Sequence, residues 1–301
     1  SLNFRDILVT RNTYFAPISG GLVPCSDGAG EVVAVGSQVQ GLAVGDRVAT
    51  LFFPHWQSGK PDARALSDAR GAESAGAFTE HFVSDERGLI KLPDGLSYAE
   101  GATLPCAAVT AWNSLFEAGD LKPGQTVLLL GTGGVSIFAL QFAKAAGAKV
   151  IITSSDDAKL ERAKALGADH GINYRYHPEW HEEVLRLTGG QGVDVVLEVG
   201  GPGTLERSLM SVATGGRIAY IGVLTGLAGA ANPVMLIPKA SSIQGIFVGS
   251  RAMFADMLAA IQTHAIHPVI DKEFAFADAP AALEYMKSGS HFGKIVVRVG
   301  D

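Results

Sequence analysis

From residue 126 onward, short apolar runs alternate with longer stretches whose apolar residues recur at helical spacing. The runs predict strands at 126–130, 149–153, 170–173, 193–199, 217–223 and 242–247. Between them the spacing predicts helices near 134–146, 156–166, 178–188 and 203–213. Strands that are apolar throughout, each followed by a helix, need cover on both faces, so this region reads as a doubly wound parallel sheet of six strands. Upstream the pattern changes. Residues 1–103 are rich in glycine and short β signals, and they predict strands at 31–36, 46–53 and 77–83 separated by turns. Residues 54–76 are small and polar and predict a long loop. Ser97 and Glu100 form a capping-box pattern for a short helix to Ala102, and 107–118 predicts another helix before Lys122-Pro-Gly124 breaks the chain. Downstream, 251–265 predicts an amphipathic helix with Met253, Phe254, Met257, Leu258 and Ile261 on one side. A helix at 280–287 and a strand at 294–299 then rejoin the first domain. No internal repeat or low-complexity tract is present.

The first βα turn of the alternating region carries the chemistry. Thr126-Val-Leu-Leu-Leu-Gly131-Thr-Gly133-Gly134-Val135 reads as strand, glycine turn and helix start. Glycines let the backbone approach a dinucleotide pyrophosphate, and the helix N-terminus offers unpaired N–H groups and a positive dipole end. Gly131, Gly133, Gly134 and Val135 are therefore expected to hold the pyrophosphate. An ordinary βα turn would need no such glycine spacing in this context. The end of the second strand selects the cofactor. NAD sites place an acid there to accept from the ribose 2′-hydroxyl. Here Ser154 and Ser155 occupy it, Lys159 follows in the next helix, and Tyr174 with Arg175 stands after the third strand. Hydroxyls and a cation suit a 2′-phosphate, so the expected cofactor is NADPH.

Composition excludes several classes. A chain of 301 residues, 47% hydrophobic and 18% charged, is long enough for two domains with real cores. Its net charge of −6 leaves no basic footprint for nucleic acid. Its longest apolar run falls short of the roughly 18 residues that a membrane helix needs. Cys25 and Cys106 build no disulfide framework, which suits a reducing, cytoplasmic setting. Ser1 already lies inside structure-like sequence and is not Met, so a leading segment is expected before it.

Further motifs fall in one order: Gly28-Ala-Gly30-Glu31-Val-Val-Ala-Val-Gly36, Val44-Gly-Asp46-Arg47-Val, Ala102-Thr-Leu-Pro-Cys106, Thr110-Ala-Trp, the glycine turn, and His291-Phe-Gly-Lys294. Together they resemble the medium-chain dehydrogenase/reductase superfamily, specifically its zinc-independent quinone-oxidoreductase-like branch. The resemblance implies a GroES-like, partly barrel-shaped β domain from residues 1–107 and 248–301. It implies a Rossmann domain at 108–247 and a site in the cleft between them. It also implies a homodimer through the nucleotide domain, involving the stretch from Leu224 to Ile237. Zinc enzymes of the superfamily use Cys, His and Cys. The corresponding positions hold Asn3-Phe4, Ser26 and Cys106, and one thiol does not make a three-ligand site. Residues 48–100 contain no cysteine for a structural zinc lobe. His177 with His181, and His264 with His267, lack a third ligand and read as surface residues.

Without a Lewis acid a simple ketone is hard to reduce. A quinone or α,β-unsaturated carbonyl instead takes hydride into an extended π system. By resemblance, Asn3 orients the carbonyl oxygen, Tyr14 stands at the spacing of an enoyl-reductase proton donor, and Thr110 faces the nicotinamide. Tyr14 reads equally as a wall aromatic. Val223 and Val248 lie near the nicotinamide by the same resemblance, and Arg251 and Lys294 are candidate cationic partners for the cofactor phosphates. Phe52, Phe53 and Trp56 suit either an aromatic substrate or a domain core. The alternatives are an alcohol/aldehyde dehydrogenase of the same superfamily and a non-catalytic NADPH-binding sensor or structural protein.

Overall fold

The computed structural model describes residues 1–14, 18 and 20–300. The chain divides into two compact units, residues 1–109 with 248–301, and residues 110–247. Among the described residues, no helix is long and apolar enough to cross a membrane.

Unit one opens with helix α1 (Phe4–Thr10), whose first turn is closed by Asp6 accepting from the Asn3 N–H at 2.7 Å. Strands β1 (Ala29–Glu31), β2 (Arg47–Thr50) and β3 (Leu89–Lys91) form an antiparallel sheet in that order. Gly30 lies opposite Val48, and Ala49 opposite Ile90. The strands expected at 31–36 and 77–83 do not form. β1 stops at Glu31, and residues 77–83 form no regular structure. Val33, Val35, Phe82 and Val83 stay exposed because no described strand pairs with either segment. The capping box at Ser97 does form, and it starts α2 (Tyr98–Gly101).

A continuous helical stretch covers 104–117 and contains α3 (Val109–Trp112) between two π-helical turns. Unit two then alternates as expected: β4 (Thr126–Leu129), α4 (Gly134–Ala145), β5 (Lys149–Ser154), α5 (Asp157–Ala165), β6 (His170–Asn173), α6 (Trp180–Leu187), β7 (Val193–Glu198), α7 (Leu205–Ser211), β8 (Val212–Tyr220) and β9 (Ser242–Gly245). All six strands are parallel neighbours in the order β6-β5-β4-β7-β8-β9. Leu128, Ile151, Val196 and Ile218 share one buried face with Trp180, Val184 and Leu209 from α6 and α7. Val127 and Leu129 project from the other face by strand alternation and are as deeply buried. Strand order reverses across β4 and β7, the switch point at which such sheets bind ligands.

The chain returns to unit one through α8 (Arg251–Thr263), β10 (Ile270–Ala275), α9 (Ala279–Lys287) and β11 (Lys294–Arg298). β10 and β11 pair in parallel, and α8 buries Phe254, Met257, Leu258 and Ile261.

Candidate functional site

In unit two the expected cofactor residues collect at the C-terminal ends of the strands. After β4, Gly131 adopts φ +71°, a conformation that a side chain would strain. Its N–H donates to the Thr153 hydroxyl on β5 at 3.1 Å, and Ser136 Oγ donates back to the Leu130 carbonyl at 2.7 Å. These bonds lock the turn. Gly133 is the N-cap of α4 and supplies no side-chain acceptor. The first-turn N–H groups at Gly134 and Val135 have no intrahelical partner by geometry. A helix start in this state suits a pyrophosphate.

At the end of β5, Ser154 is buried and Ser155 half-buried. Two acids follow at once, and both are engaged. Asp156 caps α5, accepting from the N–H groups of Ala158 at 2.8 Å and Lys159 at 3.3 Å. Asp157 accepts from Asn173 Nδ2 at 2.6 Å. Lys159 stands in the same first turn. The Tyr174 N–H donates to the Ser154 carbonyl at 3.0 Å, so the two expected residues are adjacent.

Sequence reasoning missed Glu198, at the end of β7. Its fully buried carboxylate accepts from the N–H groups of Gly200 (2.8 Å) and Gly201 (2.9 Å), and from the hydroxyls of Thr204 (2.6 Å) and Ser208. Burial pushes this carboxyl up, against the pull of the four donors. The Glu198 carbonyl also accepts from the N–H groups of Ile221 at 2.9 Å and Gly222 at 3.1 Å, which positions Val223. A Cβ on Gly222 would collide with the Val199 carbonyl, so that approach requires glycine. Glu198→Leu is expected to strand four donors and to cost about 3–5 kcal/mol, given roughly 1–3 kcal/mol per orphaned buried group and partial relief by water. Glu198→Gln keeps one acceptor oxygen, and its amide can donate to Ser208, so its cost is expected to be about 1 kcal/mol. Denaturant unfolding of both variants checks this, and equal losses would show that the network is not what Glu198 contributes.

In unit one a buried polar cluster surrounds the start of α1. Lys294 is 3% exposed. Its ammonium donates to the Leu2 carbonyl at 2.8 Å and to Asn3 Oδ1 at 2.5 Å, and it stands 3.8 Å from Asp27 Oδ2. Ser26 Oγ donates to Asp27 Oδ1 at 2.7 Å. Asn3 Nδ2, Asp6 Oδ1 and Asp27 Oδ2 are buried without hydrogen-bond partners. The Cys106 thiol is pushed up by burial and then by Asp27, with Lys294 and Arg5 opposing. Tyr14 Oη accepts from Arg5 Nε at 3.2 Å.

Both units match known families. Residues 1–94 match the family described as "Alcohol dehydrogenase GroES-like domain", and residues 134–263 match "Zinc-binding dehydrogenase". A zinc-type alcohol dehydrogenase-like protein of Schizosaccharomyces pombe is 46% identical over 305 residues, covering 99% of this chain and 88% of the relative. The chain belongs to the medium-chain dehydrogenase/reductase superfamily. The quinone oxidoreductase of Pseudomonas aeruginosa is 33% identical over 292 residues, covering 93% of this chain and 83% of that one. A putative alcohol dehydrogenase structure from Sinorhizobium meliloti superposes with TM-score 0.93 at 42% identity, covering 99% of this chain and 88% of that one. Two further structures are an NAD-dependent alcohol dehydrogenase (TM-score 0.89, 33% identity, 99% and 89% covered) and a mycobacterial protein complexed with NADPH (0.83, 26%, 98% and 88%).

The superfamily assignment makes this chain an oxidoreductase with a GroES-like antiparallel domain, a Rossmann-like domain and a nicotinamide cofactor. The cradle at Gly131–Val135 fits that cofactor. One expected side-chain role needs correction, and one open alternative closes. Lys294, expected to meet the cofactor phosphates, has its ammonium turned into unit one, because Asn3, Leu2 and Asp27 supply its partners there. Phe52, Phe53 and Trp56 are 2%, 1% and 4% exposed, so they are domain core rather than a substrate platform. Arg251, the other expected cation, donates to the Leu89 carbonyl and, at 3.4 Å, to the Arg87 carbonyl. Thr110 is buried and its carbonyl accepts from Ser114 Oγ at 2.7 Å, and Val248 is buried with φ +57°.

The positions of the three zinc ligands hold an amide already bonded to an ammonium, a serine bonded to Asp27, and a thiol whose pKa is raised. Zinc takes thiolates, neutral imidazoles or carboxylates, and an amide, a serine hydroxyl and one protonated thiol do not make such a set. Among the described residues, no group of three or more His, Cys, Asp or Glu side chains is arranged to hold a metal ion.

Proposed function

We propose that this protein is an NADPH-dependent reductase of quinones or α,β-unsaturated carbonyls that works without zinc. The observation that carries the reading is the Lys294–Asn3 bond: where zinc relatives place a metal ligand, this chain places an amide held by a buried ammonium. When bound, the cofactor supplies hydride. The chain supplies the rest. The glycine turn and the start of α4 hold the pyrophosphate. Lys294 accounts for Asn3 Oδ1, which leaves Asn3 Nδ2 as a donor for the substrate oxygen. Tyr14 gives a proton to the anion left after hydride addition. These donors suffice for a conjugated acceptor, whose product anion is already delocalised. The alcohol dehydrogenase reading is favoured by the names of similar proteins, but it needs a Lewis acid that these residues do not hold.

NADPH is favoured over NADH because Ser154 and Ser155 close β5 and Lys159 follows in the first turn of α5. The neighbouring acids are turned to the helix cap and to Asn173. NADPH is expected to bind roughly ten- to a few hundred-fold more tightly than NADH, the worth of one or two charge-assisted hydrogen bonds. Lys159→Ala is expected to shrink that ratio while leaving NADH affinity unchanged. Fluorescence titration with both cofactors decides, and equal affinities in the parent protein would remove the NADPH assignment.

A further inference from the structure

Among the described residues, the buried Arg5 guanidinium makes no ion pair with a carboxylate. Arg5 is 8% exposed, and its guanidinium lies 4.4 Å from the Phe52 ring centroid and 4.7 Å from that of Tyr14. Nη1 donates to the Arg70 carbonyl at 2.8 Å, Nε donates to Tyr14 Oη at 3.2 Å, and Nη2 is buried without a hydrogen-bond partner. Burying a guanidinium away from any paired carboxylate is costly. The arrangement places positive charge against one specific atom, the Tyr14 oxygen. Because that oxygen accepts from Arg5, the phenol's own hydrogen points away from the guanidinium.

Building on the reductase reading above, we propose that Arg5 is a positioning residue that acts through Tyr14, fixing the phenol and stabilising the phenolate formed when Tyr14 protonates the reduced substrate. Hydride and its electron pair add to the β-carbon of the enone, the C=C π pair moves into the C–C–O frame, and an enolate forms. The Tyr14 O–H bond breaks, the proton forms a C–H bond at the α-carbon, and the electron pair stays on the phenol oxygen beside Arg5. Water reprotonates the phenolate. The substrate is reduced by two electrons and the reduced nicotinamide is oxidised by two.

Arg5, Asp6 and Cys106 are charged or titratable groups that act on Tyr14. Burial pushes the phenol up, and Arg5 opposes it. Asp6 and Cys106 are themselves pushed toward their protonated forms, chiefly by burial. Arg5 is therefore the one group of the three that pulls the phenol toward ionisation.

The test is the ionisation of residue 14, read by fluorine NMR with 3,5-difluorotyrosine at that position. The fluorines make the phenol more acidic and bring its titration into a range that the fold withstands. Arg5→Met is expected to raise the midpoint by about one to three pH units, the usual effect of losing an adjacent opposite charge. Arg5→Lys is expected to recover part of the shift, and Arg5→Gln, which keeps a donor without the charge, to behave like Arg5→Met and to serve if the methionine variant does not fold. With unmodified tyrosine, Arg5→Met is expected to lower kcat for an enone at least about tenfold, with the KM for NADPH unchanged. An unshifted midpoint in both neutral variants overturns the pairing. The titration needs no turnover. A shifted midpoint in a protein that reduces neither enone nor quinone would keep the pairing and refute the reductase reading.

Discussion

Tyr14→Phe is expected to lower kcat for a simple enone by roughly 10²–10⁴, the usual worth of a positioned general acid. Quinone reduction by the same variant is expected to fall far less. The asymmetry follows from where the proton goes. An enolate must be protonated on carbon, which is slow without an aligned donor. A hydroquinone anion is protonated on oxygen, which solvent does readily. Affinity for NADPH is expected to stay unchanged, because the phenol is assigned to the substrate. Removing the hydroxyl leaves Arg5 Nε without its acceptor, so some loss of stability should accompany the kinetic effect. Thermal unfolding measured beside the kinetics separates the two. Equal losses with enone and quinone would point to distortion of the site rather than loss of an acid. An unchanged enone rate would make Tyr14 a wall residue and water the proton source.

The nucleotide unit was legible because its central strands are buried on both faces. Val127 to Leu129, Val150 to Ile152 and Val195 to Leu197 are apolar without interruption, and nothing but a covered parallel sheet suits such runs. The glycine turn was legible because φ > 0 at Gly131 leaves a local signature. Unit one was harder. Val33, Val35, Phe82 and Val83 make strand-like patterns, but a strand needs a partner, and pairing is not written in the segment itself. The polar cluster was harder still. Asn3 and Lys294 are 291 positions apart and meet through β11, the last strand of the chain. Lys294 was expected to meet the cofactor phosphates, yet Phe292 and Ile295 beside it are core, and Lys294 goes inward with them. Arg5 and Asp6 are adjacent charges, and nothing in the local sequence marks them as interior. Both side chains are buried, and Arg5 finds its contacts with Phe52, Tyr14 and the Arg70 carbonyl, far apart in sequence. Glu198 left a faint trace, an acid at a strand end followed by Gly200, Gly201, Thr204 and Ser208, all of which became its donors.

The largest expected effect concerns metal. An ammonium bonded to Asn3 and close to Asp27 already supplies the positive charge that zinc would bring to this cluster. A second, divalent cation there would meet Lys294 in a region of low dielectric, where like charges repel strongly. Stripping metal should therefore leave activity intact, whereas an enzyme dependent on a three-ligand zinc would lose nearly all of it. The most direct measurement is NADPH oxidation by protein dialysed exhaustively against phenanthroline, with zinc counted by elemental analysis in the same sample. The substrates should be 1,4-benzoquinone, an enone and a simple aldehyde. Full turnover of quinone and enone is expected at well under one zinc per chain, with little turnover of the aldehyde. Stoichiometric zinc in the untreated protein, with activity lost on chelation, restored by zinc and directed to the aldehyde, would contradict the account.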